Sequence, residues 1–79
     1  MNYLATFFTH SGAIKFKRNL IKKNIENEAL PVPRQLSSNC GIGVKFLINE
    51  NIEEVYNDDI EKIFKIEKEG YKLYKDFDE

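Results

Sequence analysis

The stretch Tyr3–Asn24, YLATFFTHSGAIKFKRNLIKKN, changes its hydrophobic period once, and that change decides the fold. Tyr3–Thr9 is rich in aromatic residues and Thr, with apolar side chains on both alternating faces, as in a central strand covered from two sides. From Gly12 the spacing lengthens to that of a helix. Ala13, Phe16 and Leu20 form one stripe flanked by Ile14 and Ile21, and Lys15, Lys22 and Lys23 take the opposite face, with Lys17 and Arg18 at the border. Thr9 or Ser11 supplies the N-cap, and Asn24 a left-handed C-cap after a cation-rich last turn.

Downstream, Glu28–Val32 reads as a second strand, and Pro31 and Pro33, which cannot donate to a ladder, make it an edge. Arg34–Gly41 (RQLSSNCG) is a polar loop. Ile42, Val44, Phe46 and Ile48 then alternate in the clearest strand pattern of the chain. Asn49 or Asn51 caps an expected second helix in which Ile52, Val55, Tyr56 and Ile60 recur at helical spacing. Lys62–Glu67 is a further strand, Lys68-Glu69-Gly70 a turn, and Tyr71–Lys75 a hairpin return. The order βαββαβ, with an extra C-terminal strand, predicts an α+β, ferredoxin-like two-layer sandwich spanning residues 1–79 as a single domain. Right-handed crossovers give an antiparallel sheet in the order 4-1-3-2 with both helices on one face. Tyr3, Ala5, Phe7 and Leu47 are then expected on or near the helix-free face, an apolar surface to be covered by a second copy in a homodimer, by another protein, or by the C-terminal strand.

The chain has 79 residues, 42% apolar and 32% charged, which fits one small globular domain and leaves no room for an interdomain cleft. Its single cysteine, Cys40, excludes an internal disulfide. Cys40 and His10 together fall short of the about four ligands of a structural zinc site, so neither a metal nor a cofactor is expected. No apolar run suits a membrane span and no signal-peptide layout opens the chain, so the expected location is cytoplasmic. The net charge of −1 is uneven: residues 1–49 hold seven basic and two acidic side chains (+5), residues 50–79 five and eleven (−6). This balance argues against nucleic-acid binding, and no membrane partner is implied.

The topology gives the thiol a place. Strand 1 and strand 2 both run up, so the loop after strand 2 lies at the end of the sheet where helix 1 begins. Cys40 should approach Thr9, His10 and the orphan N–H groups of that helix. Those groups, Arg34 from the same loop, and the side chains of Ser37, Ser38 and Asn39 would stabilise an anionic sulfur, and Gly41 removes bulk beside it. Against this, the acidic end of helix 2 points to the same end. Each residue also has a structural reading: Cys40 as inert packing, His10 as a capping or solvent-facing residue, Arg34 as a loop closure, Ser37 and Ser38 as caps of a short turn. The lysine face of helix 1 is either a solvated surface or a dock for an acidic partner.

The segment Pro31–Phe46, PVPRQLSSNCGIGVKF, with a strand-to-helix opening that includes Thr9, His10 and Ala13, resembles the selenium/sulfur (Se/S) carrier protein-like family of small bacterial domains. The most specific part is Pro33-Arg34-x-x-Ser37-Ser38-x-Cys40-Gly41. The resemblance implies a carrier or accessory protein more than a true enzyme. Cys40 would be the chalcogen-carrying nucleophile, with Arg34, Ser37, Ser38, Gly41 and His10 around its cargo. The implied partners are a donor such as a cysteine desulfurase or selenocysteine lyase, and an acceptor protein. Better-understood sulfur-relay carriers hold their cysteine in a Cys-Pro-x-Pro motif at the start of the first helix, where this chain has Thr9-His10-Ser11-Gly12. The alternative function is a non-catalytic regulatory or assembly module that dimerises or binds a small ligand through its open sheet face.

Overall fold

The apolar strand at the N-terminus becomes the centre of the sheet. In the computed structural model, which describes residues 1–33, 36, 40–49 and 51–77, the elements are β1 (Asn2–Phe7), α1 (His10–Lys22), β2 (Asn27–Pro31) and β3 (Ile42–Leu47). A single 3₁₀ turn (Ile52–Val55), β4 (Ile60–Glu67) and β5 (Gly70–Asp76) follow. The strands lie in the order β2-β3-β1-β4-β5, and every neighbouring pair is antiparallel. β2, with Pro31 at its end, is an edge as expected, and β5 closes the other side through a hairpin in which Gly70 has φ +128.

The architecture is α+β, but it is not the two-helix ferredoxin-like sandwich: read from its β5 edge the sheet runs β5-β4-β1-β3-β2, the 4-1-3-2 order with the C-terminal strand added beyond β4, and what departs from the expectation is the second helix. The sheet has five strands, and among the described residues α1 is the only helix longer than one 3₁₀ turn. The expected second helix fails for a local reason. Asn51 caps a turn in which Ile52 and Val55 both reach the core, but the Asn57 side chain then accepts the N–H of Asp59 at 2.9 Å. The backbone is already extended at Tyr56, the Asn57 turn follows, and Ile60 enters β4 instead of extending a helix.

The two faces of β1 are also assigned differently from the expectation. Tyr3, Ala5 and Phe7 face α1: Phe7 and Phe16 lie 5.2 Å apart between ring centroids, Phe16 and Phe46 5.3 Å, Tyr3 and Phe46 5.6 Å. These residues are the core, not an open surface. Leu47, next to the core residue Phe46, falls on the helix-free face with Leu4 and Thr6. Leu4 and Thr6 are nonetheless fully buried there, and Phe64, opposite Leu4 in β4, is nearly so. Gly43 is part of this closure, since a Cβ at that position would lie 3.0 Å from the carbonyl oxygen of Ala5 and 3.0 Å from Leu4 Cδ1. Two bulges, at Thr6/Phe7 and at Ile63/Phe64, shift the register of β4 against its neighbours, and past the second the Glu61 carbonyl accepts the N–H of Phe77 at 2.9 Å. Glu61 is buried with its Oε1 3.4 Å from the Thr6 hydroxyl, which donates to it, and Tyr74 packs edge-on against Tyr3 at 5.4 Å. Burial raises the Tyr3 and Tyr56 phenols above the ordinary tyrosine value, and the nearby Tyr74 adds to both shifts.

α1 begins where the sequence places a cap. Thr9 has extended backbone angles, and its hydroxyl accepts the N–H of Gly12 at 3.0 Å. Lys22 stands in the last turn, and Asn24 follows with φ 60, the left-handed residue that ends the helix. Replacing Thr9 with alanine is expected to lower stability by about 1 kcal/mol, read as a lower urea midpoint at unchanged slope.

Candidate functional site

The site is built where the β2–β3 loop returns to the sheet beside the start of α1. Val32 donates its N–H to the carbonyl of Gly41 at 2.9 Å, which draws the two ends of the loop together, and Pro31 pairs with Ile42 below them. Gly41 has φ +74, a left-handed conformation that suits glycine, with nothing near the position of a Cβ. The turn at Gly41 sets Cys40 at the sheet end. Cys40 is half-buried, packs against the edge of the core, and directs its thiol at the carbonyl oxygen of Ile42, 3.3 Å away.

His10, the first residue of α1, joins this loop to the helix. Its Nε2 lies 3.0 Å from the carbonyl oxygen of Cys40. A carbonyl only accepts, so Nε2 carries the hydrogen and donates it. The expected approach of Cys40 to the N-terminus of α1 is therefore realised through main chain. His10 bonds the cysteine's carbonyl and not its sulfur, so that nitrogen does not act as a base toward the thiol in this arrangement. Arg34, Ser37 and Ser38 lie outside the described residues, as does Asn39.

The acidic segment does reach the same end of the sheet, as its position before β4 requires. Asp59 packs its Cβ against Gly12, accepts the N–H of Phe8 through its backbone carbonyl at 3.2 Å, and pairs through Oδ2 with Lys15 at 3.5 Å. A carboxylate on the first turn of α1 takes part of the favourable field of the helix end. The sequence signal for this contact is the Asn57-Asp58-Asp59 turn, which lies within the stretch where apolar spacing predicts helix 2. Among the described residues no three His, Cys, Asp or Glu side chains converge to hold a metal ion.

Between α1 and the β2–β3 pair the surface forms a groove of about 140 Å³, lined by His10, Ala13, Ile14, Lys17, Ala29, Ile42 and Val44, of which His10 and Ile42 also bond Cys40. That is below the roughly 300–1,000 Å³ of pockets that enclose small molecules. Concavities of about 600 and 510 Å³ are lined by residues such as Asn2, Glu26, Leu47 and Asn49, around the opposite ends of β1 and β3, and one of about 320 Å³ lies between Phe8, Tyr56, Ile60 and Phe77. No helix among the described residues is long and apolar enough to cross a membrane.

Comparison with protein families gives a match over residues 2–74 to the family described as "Putative Se/S carrier protein-like". The match takes in β1, α1, the Cys40 loop and most of β5. Neither the curated proteins nor the solved structures give a match.

Proposed function

The chain belongs to the family described as putative Se/S carrier protein-like, and from that membership we propose that Cys40 carries a terminal sulfur or selenium atom between partner proteins in the cytoplasm. The observation that carries the reading is the position of the chain's single cysteine, half-buried at the sheet end and tied by its own carbonyl to the side chain of the first residue of α1.

The chemistry is a balanced exchange with no net oxidation. A donor such as a cysteine desulfurase or selenocysteine lyase holds R–S–S⁻. The Cys40 sulfur bonds to the terminal sulfur, the donor's S–S bond breaks, and the Cys40 proton ends on the donor: Cys40–SH + R–S–S⁻ → Cys40–S–S⁻ + R–SH. The reverse step on a different thiol delivers the cargo to an acceptor. A second cysteine nearby would attack the persulfide and discharge it as a disulfide, so a lone thiol suits a carrier. In the resting arrangement the thiol is turned toward the Ile42 carbonyl. Loading requires it to swing outward, while the His10 bond keeps the main chain of Cys40 in place. Arg34, Ser37, Ser38 and the turn at Gly41 are proposed to surround the anionic cargo.

Incubation with a cysteine desulfurase and cysteine, or selenocysteine, should add the mass of one sulfur or selenium atom to the intact protein. Dithiothreitol should remove it, and the Cys40→Ser variant should gain nothing. An unchanged wild-type mass, or an equal gain on Cys40→Ser, contradicts the reading.

A further inference from the structure

Resting on that reading, we propose that the outer face of α1 is where the donor protein docks, and that the donor presents there a surface of carboxylates around apolar side chains. The helix carries two apolar stripes. The inner one, Ala13, Phe16 and Leu20, is buried against the sheet. The outer one consists of Ile14 and Ile21, seven residues apart on one side of the helix and 54% and 58% exposed. Single exposed apolar residues need no explanation, but a repeated pair at this spacing is the pattern of a helix with a second packing seam.

That outer seam leads to the thiol. Ile14 lines a groove together with His10 and Ile42, and His10, one turn earlier on the same side, holds the Cys40 carbonyl at 3.0 Å. A protein seated on Ile14 and Ile21 would thus have its edge at the loop that bears the sulfur. The charge selects the kind of protein. Residues 10–23 contain five cations and no carboxylate. Lys15 is paired with Asp59 and Lys17 donates to Asn27 at 2.7 Å, whereas Arg18, Lys22 and Lys23 have no carboxylate partner among the described residues. Arg18 lies between the two isoleucines in sequence and close to their side of the helix, so an incoming surface must bring anions together with apolar contact. The face offers no aromatic ring for stacking bases, and the net charge of −6 over residues 50–79 disfavours an extended polyanion, so a protein surface fits better than a nucleic acid.

The test compares the rate of persulfide loading on Cys40 from two donors, a cysteine desulfurase supplied with cysteine and glutathione persulfide. The proteins compared are wild type, Arg18→Glu/Lys22→Glu and Ile14→Ser/Ile21→Ser. Loading from the enzyme should fall by about tenfold or more in both variants and should decline with salt in the wild type, while loading from glutathione persulfide stays unchanged. Equal enzyme-dependent rates in all three proteins would overturn the docking proposal and leave the carrier reading standing. Failure of Cys40 to load from either donor would overturn both. Salt-sensitive self-association, or binding to phosphatidylserine vesicles, that is lost in the charge-reversal variant would assign the face to a second copy or to a membrane and so overturn the proposal as well.

Discussion

Replacing Phe16 with alanine is expected to cost about 3–5 kcal/mol and to leave the domain near the limit of folding. Phe16 is fully buried, and its ring is the joint between layers: it meets Phe7 of β1 at 5.2 Å and Phe46 of β3 at 5.3 Å. Removing it empties the contact of α1 with two central strands at once. A chain of this length has a total stability of roughly 4–12 kcal/mol at about 0.05–0.15 kcal/mol per residue. The loss is therefore comparable with the whole at the lower end. Thermal unfolding followed by circular dichroism should show a fall of at least about 12 °C, taking about 4 °C per kcal/mol for a domain of this size, or no cooperative transition at all. Phe16→Leu keeps most of the volume and should behave much more mildly. A shift of only a few degrees in the alanine variant would mean that α1 is not seated on the sheet in this way.

Gly12→Ala is expected to destabilise although helix propensity alone would make it favourable by up to about 1 kcal/mol. The added Cβ would stand 2.5 Å from Asp59 Cβ and 3.0 Å from its carboxyl carbon, so the chain on one side must move. Overpacking of this kind typically costs about 1–3 kcal/mol, which exceeds or cancels the gain. Movement of Asp59 would also loosen its backbone bond to Phe8 and its pairing with Lys15. The sign separates the two effects, and so does a double-mutant cycle. Asp59→Gly removes the colliding carbon, and in that background Gly12→Ala should become neutral or stabilising in urea denaturation. A stabilising effect of Gly12→Ala alone would show that Asp59 does not rest on the helix.

Much of the fold was legible because single residues enforced it. The change of period near Gly12, the Thr9 cap, the left-handed Asn24, the edge position imposed by the prolines and the Gly70 turn act locally and need no tertiary knowledge. Two features were not legible, for different reasons. β1 is apolar on both faces, so its orientation is decided only when Phe16 packs between Phe7 and Phe46, a choice that alternation cannot make. The second helix had the right spacing of apolar residues, but the backbone turns extended at Tyr56 and the Asn57–Asp59 turn leads into β4, which spacing alone does not show.

At the site, the neighbourhood of Cys40 and His10 followed from strand direction alone. The particular bonds did not: His10 takes the cysteine's carbonyl and the thiol takes that of Ile42, details set by the turn at Gly41. Gly43, two residues past the turn, serves close packing against Ala5 and Leu4, which strand alternation alone does not reveal. Asp59 at the first turn of α1 was foreshadowed by the acidic run before β4, but its pairing with Lys15 depends on the loss of the second helix.

A carrier must release what it accepts, and a labelled chase tests both halves at once. Cys40 is loaded with radiolabelled sulfane sulfur from a cysteine desulfurase, separated from the enzyme, and exposed to an excess of a small acceptor thiol. The account predicts label on the wild-type chain, none on Cys40→Ser, and its transfer to the acceptor with the Cys40 thiol regenerated. A wild-type chain that takes up no label, or that holds it while the acceptor stays unlabelled, would contradict it.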